Sequence, residues 1–143
     1  METSALWTAL TALVLILPAL AWAGPAETPE HAAFELDELR EALAASDRPW
    51  LPFFESRDIR LGLYALPAGA SDPQPVHDDD EVYHVIRGRA VLRAGDDAIP
   101  VEPGSTVFVR AGVEHRFVEI EEDLEVLVFF ATGPGSLAGS SPQ

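Results

Sequence analysis

From Arg57 onward the chain alternates short apolar runs with turn residues, and this punctuation restricts the fold more than any other feature. The runs fall at about Ile59–Leu66, Glu81–Ile86, Ala90–Ala94, Ala98–Val101, Thr106–Val109, His115–Ile120 and Leu124–Phe130. Between them lie Pro67-Ala68-Gly69, Arg87-Gly88, Gly95-Asp96-Asp97, Pro103-Gly104 and Ala111-Gly112. Many short strands with regularly spaced turn signals predict an all-β sandwich or barrel.

The sequence upstream differs in kind. Residues 34–45 place Leu36, Leu39 and Leu43 at helical spacing with acidic residues between them, which predicts an amphipathic helix packed on the β-domain. Two prolines within Ser46–Pro52 break that helix, and Trp50, Phe53 and Phe54 are expected to anchor the crossing against the core. Residues 24–33 read as a linker and 132–143 as a flexible Gly, Ser and Pro-rich tail. This leaves one domain over residues 34–131, with no internal repeat. Residues 1–23 contain an uncharged stretch from Ala5 to Ala23, and Ala21-Trp22-Ala23 precedes Gly24 as a small-x-small cleavage pattern. They read as a secretory signal, although no Lys or Arg precedes the apolar stretch. The alternative is an uncleaved anchor, and either one predicts a domain exported to the periplasm or secreted. No other membrane contact is expected.

Composition narrows the partners. The formal net charge is −15, and all nine basic residues are Arg. Such a surface repels phosphate backbones, so a nucleic-acid partner is not expected. The absence of cysteine excludes disulfides and thiolate ligands.

The chemistry concentrates between Gln74 and Glu119. His77, Glu81 and His115 are imidazole and carboxylate ligands that suit iron, manganese, zinc, nickel or copper. On a flat strand His77 and Glu81 would stand roughly 13 Å apart, too far for one ion. A metal site therefore requires Asp78, Asp79 and Asp80 to form a turn. It also requires a later strand to bring His115, 34 residues beyond Glu81, alongside.

The segment from Pro75 to Glu119 resembles the cupin superfamily. His77, three residues, Glu81, six residues and Gly88 match the second half of its first motif. Gly104, five residues, Arg110, Gly112, His115, three residues and Glu119 keep the spacing of its second. The likeness extends from about Arg57 to Phe130. It implies a double-stranded β-helix, or jelly-roll barrel, with one divalent transition metal on His77, Glu81 and His115, and a homodimer paired through an outer sheet face. Pro75 falls where the family has its first histidine, so Gln74, Asp79 and Glu119 become substitute ligands or supporting groups. Arg110 replaces the family's proline and Glu119 its asparagine.

Each candidate has a plainer reading. His77 alone would be a solvated loop histidine, Glu81 an outward strand residue and His115 a rim residue. Alternation puts Tyr83 on the face of Glu81 and Phe117 and Glu119 on the face of His115, while His84 falls on the opposite face. Tyr83 and Phe117 are core fillers or pocket walls. Arg110 either points into the barrel mouth, where it would pair with a ligand carboxylate, or is a surface charge. The functional expectation is a metal-dependent enzyme of oxygenase, isomerase or lyase type acting on a small organic molecule. The alternatives are a non-catalytic module that binds a small ligand or metal, and a structural domain.

Overall fold

The computed structural model describes residues 28–133. Residues 1–23, expected from the sequence to be a signal or anchor, lie outside the described residues, as do the start of the expected linker and most of the expected tail. The elements in chain order are helix α1 (Leu36–Ala45) and strands β1 (Trp50–Glu55), β2 (Ile59–Leu66), β3 (Asp80–Arg87), β4 (Ala90–Ala94), β5 (Asp97–Val101), β6 (Thr106–Val109), β7 (His115–Val118) and β8 (Leu124–Ala131). Two antiparallel sheets result, ordered β1-β2-β8-β3-β6 and β5-β4-β7. Among the described residues they form the expected jelly-roll sandwich with one short helix. Among the described residues no helix is long and apolar enough to cross a membrane.

Alternation builds the core. Glu81, Tyr83 and Val85 of β3 are buried on the inner face, as are Leu124, Val126, Val128 and Phe130 of β8. From the smaller sheet Leu92, Val101 and Phe117 meet them. Burying each large apolar side chain contributes about 1.5–3 kcal/mol. Gly88 lets β3 turn into β4: it has φ +90°, and a Cβ there would lie 2.4 Å from the Asp123 carbonyl oxygen. The backbone approach leaves no room for any other residue.

β1 corrects the expected crossing segment. Instead of a loop, Trp50–Glu55 forms an edge strand on β2, with a register shift between Pro52 and Phe54. An edge position tolerates Pro52, which has no N–H to give a second neighbour. β7 also ends sooner than the run to Ile120 implied.

Strand register sets out rows across the larger sheet. Glu55, Arg60, Phe130, Glu81 and Val109 are successive cross-strand partners on the inner face. Phe54, Leu61, Phe129, Val82 and Phe108 form a parallel row on the outer face.

Helix α1 covers part of that outer face. Asp37 and Glu38 in its first turn suit the positive end of the helix dipole. Asp47, at φ +52°, closes the helix in the left-handed conformation. Leu43, within the helix, is its buried residue. Arg40 Nε donates to both Glu125 carboxylate oxygens at 3.0 and 3.1 Å, and Nη2 donates to Oε1 at 2.7 Å. Glu125 is buried, so this fork satisfies a carboxylate that would otherwise lack a partner. Replacing Arg40 by Met should therefore lower the urea midpoint, and the double variant Arg40→Met/Glu125→Leu should recover most of the loss. A single-variant midpoint equal to wild type would show that the ion pair does not hold the helix.

Candidate metal centre and adjoining cavity

The sheets bring the three candidate ligands together by different routes. Glu81 sits on the inner face of β3 and is 1% exposed, while His115 begins β7 and is 4% exposed. His77 lies half-buried in the segment before β3, and the chain bends at Asp78 and Asp79 as the spacing required. The Gly112 N–H donates to the His77 carbonyl at 2.8 Å, and the Ala111 N–H donates to Asp80 Oδ1 at 2.9 Å. These two bonds lock the turn before His115 against the bend after His77. One ligand atom from each of His77, Glu81 and His115 then falls within 4.8 Å of the others.

The electrostatics of the group follow from its hydrogen bonds. His115 Nδ1 lies 2.7 Å from the Val113 carbonyl. A carbonyl only accepts, so Nδ1 carries the proton and Nε2 of the neutral ring presents a lone pair. Nε2 lies 2.5 Å from Glu81 Oε1, yet it has no hydrogen-bond partner, and Glu81 Oε2 has none either. With the ring neutral, Nε2 and Oε1 are two facing acceptors, and either a proton on Nε2 or a metal cation between them removes the repulsion. Burial disfavours a charged His115, but the Glu81 carboxylate, the Val113 carbonyl and the charge of Asp72 outweigh it and raise the imidazole pKa above the ordinary histidine value.

Supporting residues hold Glu81 in place. The Tyr83 hydroxyl contacts Glu81 Oε1 and lies 2.8 Å from Gln74 Oε1, so its one proton faces two acceptors. Burial and the Glu81 charge push the Tyr83 pKa well up, and the phenol stays protonated. Gln74 Nε2 in turn donates to Asp72 Oδ2 at 2.8 Å, which turns the amide oxygen toward Tyr83. Asp72 also accepts from the Phe117 N–H at 2.7 Å and the Tyr64 hydroxyl at 2.5 Å. It thereby ties the β2–β3 loop to both sheets.

The structure separates the other candidates. Phe117 is buried against Tyr83, with ring centroids 5.1 Å apart. Asp79 pairs with Arg60 and lies outside the ligand group. Arg110 is exposed and Pro75 is exposed, so Arg110 is a surface charge. Glu119 is exposed too: the chain leaves β7 before it and takes φ +50°, which breaks the alternation with His115. His84 stays on the outer face, with Nδ1 2.9 Å from Thr106 Oγ1.

A cavity of about 540 Å³ opens beside His77, lined by Trp50, Arg60, Tyr64, Gln74, Val128 and Phe130 among others. Sequence reasoning took Trp50 as a core anchor only, and did not assign Arg60, Tyr64 or Asp72 to the site. One signal was present: Gly62 interrupts an apolar strand, and a Cβ there would lie 1.8 Å from the Trp50 indole. A glycine inside a strand often marks such a close approach.

The model of the Cupin_2 family, the cupin domain, matches residues 62–130. An uncharacterized Streptomyces coelicolor protein, SCO3923, is 50% identical over 99 residues, which cover 69% of this chain and 94% of that protein. The chain belongs to the cupin superfamily. Among solved structures, this cupin is similar to TT1209 from Thermus thermophilus, at 30% identity and a TM-score of 0.54, over 64% of this chain and 95% of that one. It is also similar to the DMSP lyase DddQ from Ruegeria pomeroyi, at 25% identity and a TM-score of 0.50, over 53% of this chain and 39% of that one.

Proposed function

We propose that this cupin is an exported metal-dependent enzyme that holds one divalent transition ion on His77, Glu81 and His115 and acts on a small organic molecule in the adjoining cavity. The observation that carries the reading is the convergence of one ligand atom from each of His77, Glu81 and His115 to within 4.8 Å of one another, with Glu81 Oε2 buried and without a hydrogen-bond partner. Each unsatisfied buried polar group costs about 1–3 kcal/mol. A cation shared with His77 would remove that cost, and the donor set fits a borderline divalent ion. When bound, such an ion supplies Lewis acidity, or an open position for dioxygen if it is iron.

This chain's residues would do the rest. The Val113 carbonyl fixes the His115 tautomer, and the Tyr83 hydroxyl orients Glu81, as partners behind metal ligands commonly do. Tyr64, Val128 and Phe130 exclude bulk water from the inner wall. His77, half-buried, faces the cavity through which a substrate would arrive.

A second reading, a module that holds a ligand without turnover, is favoured by Pro75. It stands where the family has a histidine and provides no ligand, which reduces the protein's hold on the ion. The expected export rests on residues 1–23.

We further infer that the chain is a homodimer paired through the outer row. Phe108 is 60% exposed at the end of that row, and Ile59 and Phe129 are exposed nearby. On a molecule of net charge −15, two identical copies repel each other except where they meet through an uncharged face. Phe108→Glu should convert the dimer to monomer in sedimentation equilibrium. A wild-type monomer at the same concentration would contradict the pairing.

Metal dependence is tested by elemental analysis of protein purified without chelator. About one transition ion per chain is expected in wild type and none in His115→Ala, with the circular dichroism spectrum of the fold retained. No ion in wild type after reconstitution would overturn the metal centre.

A further inference from the structure

Arg60 is the feature of the cavity that the proposed metal centre does not use. It stands in the same inner row as Glu81, with Phe130 between them, so two strand spacings, roughly 10 Å, separate the two backbones. The Arg60 guanidinium carbon lies 4.6 Å from the Phe130 ring centroid. The His77 imidazole centroid lies 5.2 Å from the same point. Phe130 is thus a shared floor, with a fixed cation at one end and the candidate ligands at the other.

The chemistry of Arg60 suits an anion. It is the one arginine lining the cavity, in a chain without lysine. Its side chain is 33% exposed, and its one hydrogen bond among the described residues runs from Nη2 to Asp79 Oδ2 at 3.3 Å, long for a charge-assisted bond. A guanidinium carries five N–H donors in a planar fork, so most of its donors remain for a ligand. The stacking on Phe130 sets the plane of the fork. Glu55, the cross-strand neighbour of Arg60, also lines the cavity and opposes an anion, but it is exposed and screened by solvent.

A cationic ligand is the competing case, since Trp50, Tyr64 and Phe130 surround the same space with Glu55. The rings do not form a cage, however. Trp50 meets Tyr64 and Phe130 edge-on, at 65° and 87°, and Arg60 already lies over the Phe130 face.

We propose that the cavity is the binding site of a small organic acid, with its carboxylate on the Arg60 fork, its apolar body against the cavity wall formed by Trp50, Tyr64 and Val128, and its opposite end beside His77. Only the role of that opposite end rests on the metal-centre reading.

The test is calorimetric titration of the full-length chain with acetate, benzoate and phenylacetate, each beside its neutral amide. At least one acid should bind, with its amide weaker by about tenfold or more. Arg60→Gln should weaken the acid by about 10–100-fold while leaving the metal content unchanged. Arg60→Lys should fall between, and Glu55→Gln should tighten binding. No acid binding, an amide equal to its acid, an unaffected Arg60→Gln, or benzylamine binding in place of the acids would overturn the assignment. Repeating the titration on His115→Ala separates the two readings. Arg60-dependent binding retained in that metal-free variant supports this site independently of the metal centre. Acid binding by wild-type protein that takes up no ion keeps this site and removes the metal centre, whereas a metal-loaded protein with no Arg60-dependent binding does the reverse.

Discussion

The approach of Glu81 and His115 to within 2.5 Å, out of reach of water, is the constraint on which the rest of the arrangement depends. Lone pairs at that distance repel unless a proton on His115 Nε2 or a metal cation lies between them. The surrounding structure nevertheless forces the contact. β3 and β7 belong to different sheets, and both side chains point into the space between those sheets. The Val113 carbonyl turns the imidazole, and the Tyr83 hydroxyl holds the carboxylate opposite it. Structural residues thus keep two acceptors close and dry, which makes sense as preparation for a cation.

Asp72 extends that preparation outward. Through Gln74 it reaches Tyr83, through Tyr64 it reaches β2, and through the Phe117 N–H it reaches β7. Loop, barrel wall and candidate centre are consequently one hydrogen-bonded unit. The outer face uses a different device, in which the Arg40–Glu125 fork pins the helix while the row toward Phe108 stays uncovered. Inner and outer faces of one sheet therefore carry separate tasks, and strand alternation keeps them apart.

Much of this was legible in the sequence because period-two alternation states which side chains share a face. The β-strands from Ile59 onward, the facing of Tyr83 and Phe117, and the opposite facing of His84 follow from it. The rule failed where strands end: even spacing put Glu119 beside His115, but the backbone turns left-handed after β7 and sends it to solvent. β1 was hidden by Pro52, which reads as a strand breaker unless the strand is known to lie at an edge. The cavity was hidden more deeply. Trp50, Arg60 and Phe130 meet only through the register of β1, β2 and β8, and nothing local to any of the three reports that register.

The most direct test of the account is X-ray absorption at the metal edge of zinc-loaded wild-type protein. The three-ligand arrangement predicts a first shell of nitrogen and oxygen only, with outer-shell scattering from two imidazoles, falling to one in His77→Ala. A shell with no imidazole scattering, or one unchanged in that variant, would contradict a metal held by His77, Glu81 and His115.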